Sequence, residues 1–215
     1  MKPLGIMLVV ATTVSSCVLS GNTVARGSRV PGDAGTSHPA MVVSPGAGWT
    51  PSGLEGTTPA PGTCHYRTSH GYDIPDPACT PGAIDARVIQ SGIVRTICRP
   101  GGYTRSVRPP LSLTGPAKAA SAAAYSDPNP ASRTELDHLV PLSLGGSSDR
   151  ANLWAEPDQG SPAAFSPTDP FGINAKDGVE DVLHQAVCDG TVRLARAQSA
   201  IASDWTTALT QLGLR

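Results

Sequence analysis

Glycine and proline limit how much of this chain can form a regular fold. The 215 residues include 23 Gly and 21 Pro, and both residue types disfavour the interior of helices and strands. The length is sufficient for one sizeable domain, but this composition excludes a domain that extends from end to end. Between residues 21 and 62, Gly, Pro, Ser, Thr and Ala predominate, with almost no apolar periodicity. We therefore predict a flexible linker over 21–62 and a folded domain over 63–215.

The first twenty residues have the features of a targeting segment. Lys2 is followed by an apolar run over 4–14 and then by Ser15, Ser16 and Cys17. The run is short for a membrane span, which argues against a retained transmembrane helix. Residues 14–17 resemble a bacterial lipobox, in which the cysteine is lipidated; the alternative is an ordinary cleaved signal with an incidental cysteine. We predict a signal peptide over 1–20, lipidation of Cys17, and a protein that is secreted or lipid-anchored, facing outward, at a bacterial cell envelope.

The cysteine count supports an oxidising compartment. Five cysteines are an odd number for a secreted chain, but lipidation of Cys17 leaves the even set Cys64, Cys79, Cys98 and Cys188. An even set predicts two disulfides, and three pairings are open. The spacings contain no CxxC motif and place no histidine at a zinc-finger interval, so a structural zinc site is the weaker interpretation.

The sequence of the domain predicts a mixture of short strands and helices. The segment ARVIQ is typical of a short strand, and the alanine-rich segment 115–125 is typical of a short helix. ELDHLVPL predicts a strand that ends at Pro141, before a turn at GGSSD. Two C-terminal helices are predicted, from Lys176 and from about Val192, because apolar residues recur three and four positions apart. We predict an α+β fold with two disulfides.

A basic segment lies within this near-neutral chain, whose formal net charge is −1. Between Asp85 and Asp127 the sequence contains five arginines and one lysine but no acidic residue. Such a segment predicts a surface that faces phosphates; the alternative is a set of solvated arginines on different faces of the domain. Within this segment we expect nucleic-acid contacts from Arg105, Arg108 and Lys118.

An acid and a histidine stand side by side in ELDHLVPLSLGG, residues 135–146. A histidine at the end of a strand can act as a general base at neutral pH, since its unperturbed pKa is about 6.5. Side chains alternate along a strand, so Asp137 and His138 point to opposite faces. A bend into a loop would let Asp137 bind a metal ion while His138 faces a substrate; the alternative is a surface pair with no function.

The combination DHLVPLSLGG…NLW resembles the HNH endonuclease family. The order of sequence blocks from Cys64 to Trp205 is similar to that of secreted or phage-encoded bacterial HNH proteins. The family fold is two strands and a helix around one divalent metal ion, which implies a ββα-metal core with additional short strands and C-terminal helices. The resemblance also implies that Asp137 is a metal ligand, that His138 is the general base, and that Asn152 binds the metal or orients the base.

The family pattern further implies a metal-binding histidine on a helix after the asparagine, and here a proline-rich segment intervenes. Asp177, Glu180 and His184 share one face of the predicted helix, since they lie three and four residues apart. His184 is the expected ligand, and the alternative is a helix-surface histidine beside Glu180. Asn174 and Lys176, at the start of the helix, compete with it for metal or phosphate contact, so Lys176 joins the predicted nucleic-acid contacts.

The resemblance implies metal-dependent hydrolysis of phosphodiester bonds in DNA, or in RNA, with low sequence specificity. Mg²⁺ or Mn²⁺ suits oxygen ligands from Asp and Asn, whereas a histidine ligand leaves Zn²⁺ or Ni²⁺ open. We expect a monomer with no small-molecule cofactor. The alternatives are a catalytically inactive nuclease-like binding module of the envelope and a structural lipoprotein domain. Binding alone does not require a base beside a metal ligand, which favours the enzyme.

Overall fold

The computed structural model describes residues 38–159 and 174–214. The predicted signal peptide, the lipidation site at Cys17 and the first part of the predicted linker lie outside these residues. Most of the proline-rich segment that precedes the first C-terminal helix also lies outside them. None of the helices in the two described ranges is long and apolar enough to cross a membrane.

Short strands pair two by two in the described part of the chain. The first and sixth strands pair in parallel, and the second with the third, the fourth with the fifth, and the seventh with the eighth are antiparallel pairs. The strands are β1 Val42–Ser44, β2 Trp49–Thr50, β3 Gly53–Leu54, β4 Arg67–Ser69, β5 Tyr72–Ile74, β6 Ala83–Asp85, β7 Thr134–His138 and β8 Leu153–Pro157.

Three of these strands lie in the segment predicted to be a flexible linker. β1 pairs with β6, the Trp49 indole Nε1 donates to the Val107 carbonyl oxygen at 2.7 Å, and the Ser148 amide donates to the Ala47 carbonyl oxygen at 2.7 Å. A Cβ at Gly48 would lie 2.2 Å from the Asp149 amide nitrogen, so this glycine permits a close backbone approach. The linker prediction is therefore wrong for residues 38–62. These residues are held in place by hydrogen bonds to later segments of the chain. Such contacts produce no apolar periodicity in the sequence.

The described ranges contain five α-helices, which are α1 Tyr103–Val107, α2 Leu111–Ala124, α3 Ala175–Cys188, α4 Leu194–Asp204 and α5 Ala208–Gln211. Of these, α2 packs against β7 and β8, while α3 and α4 pack against each other and against the 3-10 helix Leu142–Leu144. The predicted alanine-rich helix begins at Leu111, four residues before the predicted start, and the predicted helix near Lys176 is capped by reciprocal hydrogen bonds between Asn174 and Asp177. ARVIQ is not a strand, because a 3-10 helix over Gln90–Arg95 begins within it.

The second predicted C-terminal helix is present as two helices, α4 and α5. The Asp204 carboxylate accepts hydrogen bonds from the amide and the hydroxyl of Thr206, at 2.9 and 2.6 Å, and this side-chain turn interrupts the helix. Trp205, Ala208 and Leu209 are nevertheless buried in the core. The apolar stripe therefore predicted the buried face correctly, and a local aspartate contact ended the helix.

The hairpin of β7 and β8 continues into the predicted glycine turn. Asp137 lies opposite Trp154, and His138 lies opposite Leu153. Gly145 adopts a left-handed conformation with φ of 73°, and a Cβ at Gly146 would lie 1.8 Å from the Val140 carbonyl oxygen. Both glycines are thus required by the tight return of the chain.

Two disulfides connect distant parts of the domain, as the cysteine count predicted. Cys64 pairs with Cys79, and Cys98 pairs with Cys188 at the end of α3. The second bond joins residues 90 positions apart, against 15 for the first. A longer closed loop removes more entropy from the unfolded chain, so the loop model gives about 4.6 kcal/mol for the second bond and about 3 for the first. The fold is α+β and contains disulfides.

Candidate active site

Asp137 and His138 make separate contacts because the strand does not bend between them. Residues directly opposite each other on antiparallel strands share a face, so Asp137 meets Trp154, whose indole Nε1 donates to Asp137 Oδ2 at 2.7 Å. His138 Nε2 instead lies 2.9 Å from the Ser148 hydroxyl oxygen. Both side chains are buried. Asp137 thus contacts Trp154 on one face of the strand, and His138 contacts Ser148 on the other.

Lys176 is fully buried against the acidic face of the hairpin. Its Nζ donates to Asp137 Oδ2 at 2.8 Å, to the His138 carbonyl oxygen at 3.0 Å, and to the Glu180 carboxylate one turn along α3. Burial lowers the pKa of Lys176, but the charges of Asp137 and Glu180 outweigh it and the net pKa is raised. The ammonium group is therefore charged. The prediction that Lys176 contacts nucleic acid is wrong, because its side chain does not reach the surface.

More carboxyl groups lie near Lys176 than one ammonium group can neutralise. Burial, followed by the charge of Asp137, raises the pKa of Glu156 well above its ordinary value. Its Oε1 has no hydrogen-bond partner among the described residues, so no group of the protein stabilises a negative charge on this oxygen. Desolvation and the charges of Asp137 and Asp177 raise the pKa of Glu135 to about 7, and the Asn174 amide donates to this carboxylate at 3.2 Å.

Asn152 has a structural role that differs from the predicted one. Its Oδ1 accepts from the amides of Ala83 and Val140, at 3.1 and 2.9 Å, and its Nδ2 donates to the carbonyl oxygens of Val140 and Ser147, at 2.9 and 2.8 Å. The side chain is fully buried. Its hydrogen bonds hold the end of β7 and the glycine turn together, so Asn152 is not placed to bind a metal ion.

His138 has the properties of a neutral base. Burial lowers its pKa to about 4, and the nearby Asp137 charge only partly opposes this effect. The imidazole is therefore uncharged at pH 7. When Nε2–H donates to the Ser148 oxygen, the lone pair is on Nδ1, which makes no hydrogen bond to any described residue. The contact holds the ring in place, and the Ser148 hydroxyl can either accept from Nε2–H or donate to an unprotonated Nε2.

The lowered pKa of His138 predicts a loss of stability in acid. The unfolded imidazole, with a pKa of 6.5, binds a proton before the folded one, with a pKa of about 4. The stabilisation is complete above pH 6.5 and is lost as the pH falls towards 4, by about 3 kcal/mol in total. We expect the stability of the wild type relative to His138→Gln to fall by this amount between pH 7.5 and 4, measured by urea unfolding. A difference that is independent of pH would contradict a buried neutral histidine.

His138 borders a groove of about 920 Å³. Residues of β7 and α3 contribute His138 and the carboxyl groups of Glu135 and Glu180. Arg108 comes from the segment before α2, and Lys118 comes from the middle of that helix. Two of the predicted nucleic-acid contacts are thus brought to the same groove as the predicted base. The third, Arg105, is exposed on α1 and is not among the lining residues.

His184 lies away from Asp137, at the other end of α3. Its Nε2 is 3.0 Å from the Ile97 carbonyl oxygen. Its ligand nitrogen and the sulfur atoms of Cys98 and Cys188 all lie within 4.8 Å of one another. This Cys98–His184–Cys188 group could bind a metal ion. The prediction that His184 completes a site with Asp137 is therefore wrong, because α3 places it beside the disulfide.

The predicted ligands of a divalent metal ion do not fit that role together. Asp137 is paired with Lys176, Asn152 is saturated with hydrogen bonds, and His184 lies elsewhere. In the described ranges, no group of three Asp, Glu, His or Cys ligand atoms surrounds His138 at metal-binding distances. The Lys176 ammonium group contacts the Asp137 carboxylate that the resemblance assigns to a metal ion.

Sequence reasoning missed several residues that define this site. Ser148 orients His138, and Glu135 lines the groove two residues before Asp137. The alternation along β7 could have indicated that Glu135 and Asp137 share a face. No pattern indicated Ser148, because its contact depends on the return of the chain through the glycine turn.

Comparison with known proteins finds no match for this chain among family models, curated proteins or solved structures. Function is therefore inferred from the residues of the groove and their chemistry.

Proposed function

We propose that this protein hydrolyses phosphodiester bonds of nucleic acid, with DNA as the expected substrate and RNA as the alternative. The observation that carries the proposal is the position of His138. A neutral imidazole borders a groove that also contains two basic side chains, Arg108 and Lys118. A base beside cations suits a reaction in which water attacks a negatively charged phosphate. The order strand, strand, helix of β7, β8 and α3 agrees with the HNH resemblance, and a ββα core is part of the proposal.

In the proposed reaction, His138 Nδ1 accepts a proton from the attacking water. The water oxygen forms a bond to phosphorus, the bond to the leaving sugar oxygen breaks, and that oxygen takes a proton from solvent. Arg108 and Lys118 hold the flanking phosphates without reading the bases, which agrees with low sequence specificity. Ser148 holds the imidazole ring in place, and the reaction uses the tautomer in which Nε2 donates to the Ser148 oxygen.

The resemblance implies Mg²⁺ or Mn²⁺, which would stabilise charge on the phosphate when bound. The described residues do not form the implied ligand set, so no step above depends on a metal ion. Four carboxyl groups border the groove and could supply oxygen ligands: Glu135, Asp177, Glu180 and Asp181. The test below therefore measures whether cleavage requires a metal ion.

We further propose that the protein acts outside the cytoplasm as a monomer, either secreted or anchored through Cys17. Two disulfides in the described domain support an oxidising compartment. The amino-terminal pattern of Lys2, an apolar run and a lipobox-like cysteine supports export and an envelope location.

The proposal is tested by plasmid cleavage with the oxidised full chain in Mg²⁺, in Mn²⁺ and in EDTA. We expect cleavage, and we expect His138→Gln to reduce its rate by about 10²-fold or more, because the variant has no general base. His65→Gln is the matched control, since His65 is exposed and does not line the groove. Equal rates for wild type and His138→Gln would contradict the proposal.

The basic side chains of the groove give a separate prediction about binding. Each phosphate contact contributes about one unit to the slope of log affinity against log salt concentration. We expect Arg108→Gln and Lys118→Gln each to weaken DNA binding and to reduce this slope by about 1, measured by fluorescence anisotropy. Arg105→Gln should have a smaller effect because Arg105 lies outside the groove. Slopes unchanged in both groove variants would place the nucleic acid elsewhere.

One observation favours a second candidate, a nucleic-acid-binding module of the envelope without activity. Asp137 is neutralised by Lys176 and Asn152 is occupied by backbone groups, so the implied metal ligands are not assembled. This candidate predicts salt-dependent binding to the groove with no cleavage in any of the three plasmid conditions.

A further inference from the structure

Two cysteines and a histidine that the proposed hydrolysis does not use lie together at the carboxyl end of α3. The ligand atoms of Cys98, His184 and Cys188 are within 4.8 Å of one another. Cys98 and Cys188 are joined as a disulfide, whose sulfur atoms are poor metal ligands. We propose that reduction of this disulfide converts the three side chains into a Zn²⁺ site.

The folded chain positions all three ligands before any metal binds. His184 and Cys188 are four residues apart on α3 and therefore lie on the same face of the helix. Cys98 reaches this face from the turn that follows the 3-10 helix Gln90–Arg95. All three side chains are half-buried. Reductant and metal ion thus have access, while the site keeps its geometry.

The hydrogen bond of His184 leaves one ring nitrogen with a free lone pair. Nε2 lies 3.0 Å from the Ile97 carbonyl oxygen, which can only accept, so Nε2 carries the proton. The lone pair is consequently on Nδ1, which makes no hydrogen bond to the described residues. Histidines that bind metal ions commonly donate their second N–H to a backbone carbonyl, which fixes the ring and the tautomer.

The conversion is a balanced two-electron step. A dithiol reductant gives two electrons and two protons to the Cys98–Cys188 bond and becomes a cyclic disulfide, while the sulfur–sulfur bond breaks and two thiols form. Zn²⁺ then displaces the two thiol protons to solvent and binds two thiolates and one neutral imidazole. Water supplies the fourth tetrahedral position. Soft thiolates favour Zn²⁺ over Mg²⁺ or Mn²⁺ at this site.

The other disulfide of the domain provides an internal contrast. Around Cys64 and Cys79, the described residues offer no third Asp, Glu or His ligand atom at metal-binding distance. Reduction there gives two thiols without a completed site. The proposal therefore predicts one zinc ion for each reduced chain, located at Cys98 and Cys188.

A zinc ion would preserve the attachment of α3 when the disulfide opens. The start of this helix carries Lys176 and Glu180, which pack against the hairpin, and its end is linked to Cys98. In place of the Cys98–Cys188 bond, both sulfur atoms would bind the same zinc ion, which would keep the end of α3 attached to Cys98. Binding to the folded chain alone stabilises that chain, so zinc should restore part of the stability that reduction removes.

The test uses the full chain reduced by a phosphine, with Co²⁺ as a spectroscopic probe and Zn²⁺ as competitor. We expect one equivalent of Co²⁺ to give thiolate charge-transfer bands that Zn²⁺ abolishes, and we expect Zn²⁺ to raise the melting temperature. His184→Gln should weaken Zn²⁺ binding by about tenfold or more, although it keeps every cysteine. The variant C64S/C79S should bind one zinc ion as the wild type does.

Three results would overturn the proposal. The first is the absence of Co²⁺ bands in reduced wild type that circular dichroism shows to be folded. The second is unchanged Zn²⁺ affinity in His184→Gln. The third is loss of binding in folded C64S/C79S, which would assign the metal to the other cysteine pair. None of these readouts depends on nuclease activity.

Discussion

Replacement of Lys176 by methionine should destabilise the protein by about 3–5 kcal/mol, the range expected when one partner of a buried ion pair is removed. Lys176 is the cation that contacts the buried carboxylates of Asp137 and Glu180. Methionine fills a similar volume but leaves these two charges uncompensated. The loss should be measured by urea unfolding at pH 7.5.

The cause of this loss can be separated from a packing defect. Burial raises the pKa of Glu180 to about 8 although the charge of Lys176 lowers it, so loss of the ammonium group should raise this pKa further and the variant should regain stability as the pH falls. The triple variant Lys176→Met with Asp137→Asn and Glu180→Gln should recover most of the loss, since it removes the charges with little change in shape. Lys118→Met is the surface control. A loss below about 1 kcal/mol in Lys176→Met would mean that the ion pairs are not formed.

Replacement of Asn152 by alanine should cost about 4 kcal/mol or more, because four buried backbone groups lose their partner. Asn152→Asp separates this structural role from metal binding. A carboxylate cannot donate to the carbonyl oxygens of Val140 and Ser147 and adds a buried charge, so this variant should also lose stability. If Asn152 were a metal ligand, in contrast, aspartate at this position would retain or strengthen metal binding.

The comparison requires a matched asparagine on the surface. Asn129 is exposed and bonds only locally, to Asp127, so Asn129→Ala should change the stability by less than about 0.5 kcal/mol. Thermal and urea unfolding should rank the variants in the same order. If Asn152→Asp is as stable as the wild type and gains affinity for Mg²⁺, then Asn152 is a metal ligand and its structural assignment is wrong.

The sequence predicted those parts of the fold that local patterns determine. Periodicity predicted α3, the strand at Asp137 and the buried apolar face that includes Trp205. Backbone conformation predicted the glycine turn. The order of residues 38–62 could not be predicted in this way, because short strands are held by partners far along the chain. The pairing of the cysteines is equally a property of the tertiary structure.

In the candidate site, too, sequence patterns predicted some residues, and tertiary contacts determined the roles of the others. His138, Arg108 and Lys118 meet in one groove, as residue type and charge suggested. The resemblance implied a metal-related role for Asn152, and a position at the start of a helix suggested Lys176 as a phosphate contact, yet the partners of both are buried groups of the protein itself. His184 shares a helix with Glu180, but four residues along a helix displace a side chain by about 6 Å. That shift takes His184 to the disulfide.

The central claim is that His138 acts in the chemical step at this groove. Its most direct test measures DNA affinity and the single-turnover cleavage rate with one short duplex, for wild type and for His138→Gln. We predict that the rate falls by about 10²-fold or more while the affinity changes by less than about twofold, because a general base contributes to the transition state and not to ground-state binding. An unchanged rate, or an equal loss of rate and affinity, would contradict the assignment of His138 as the base.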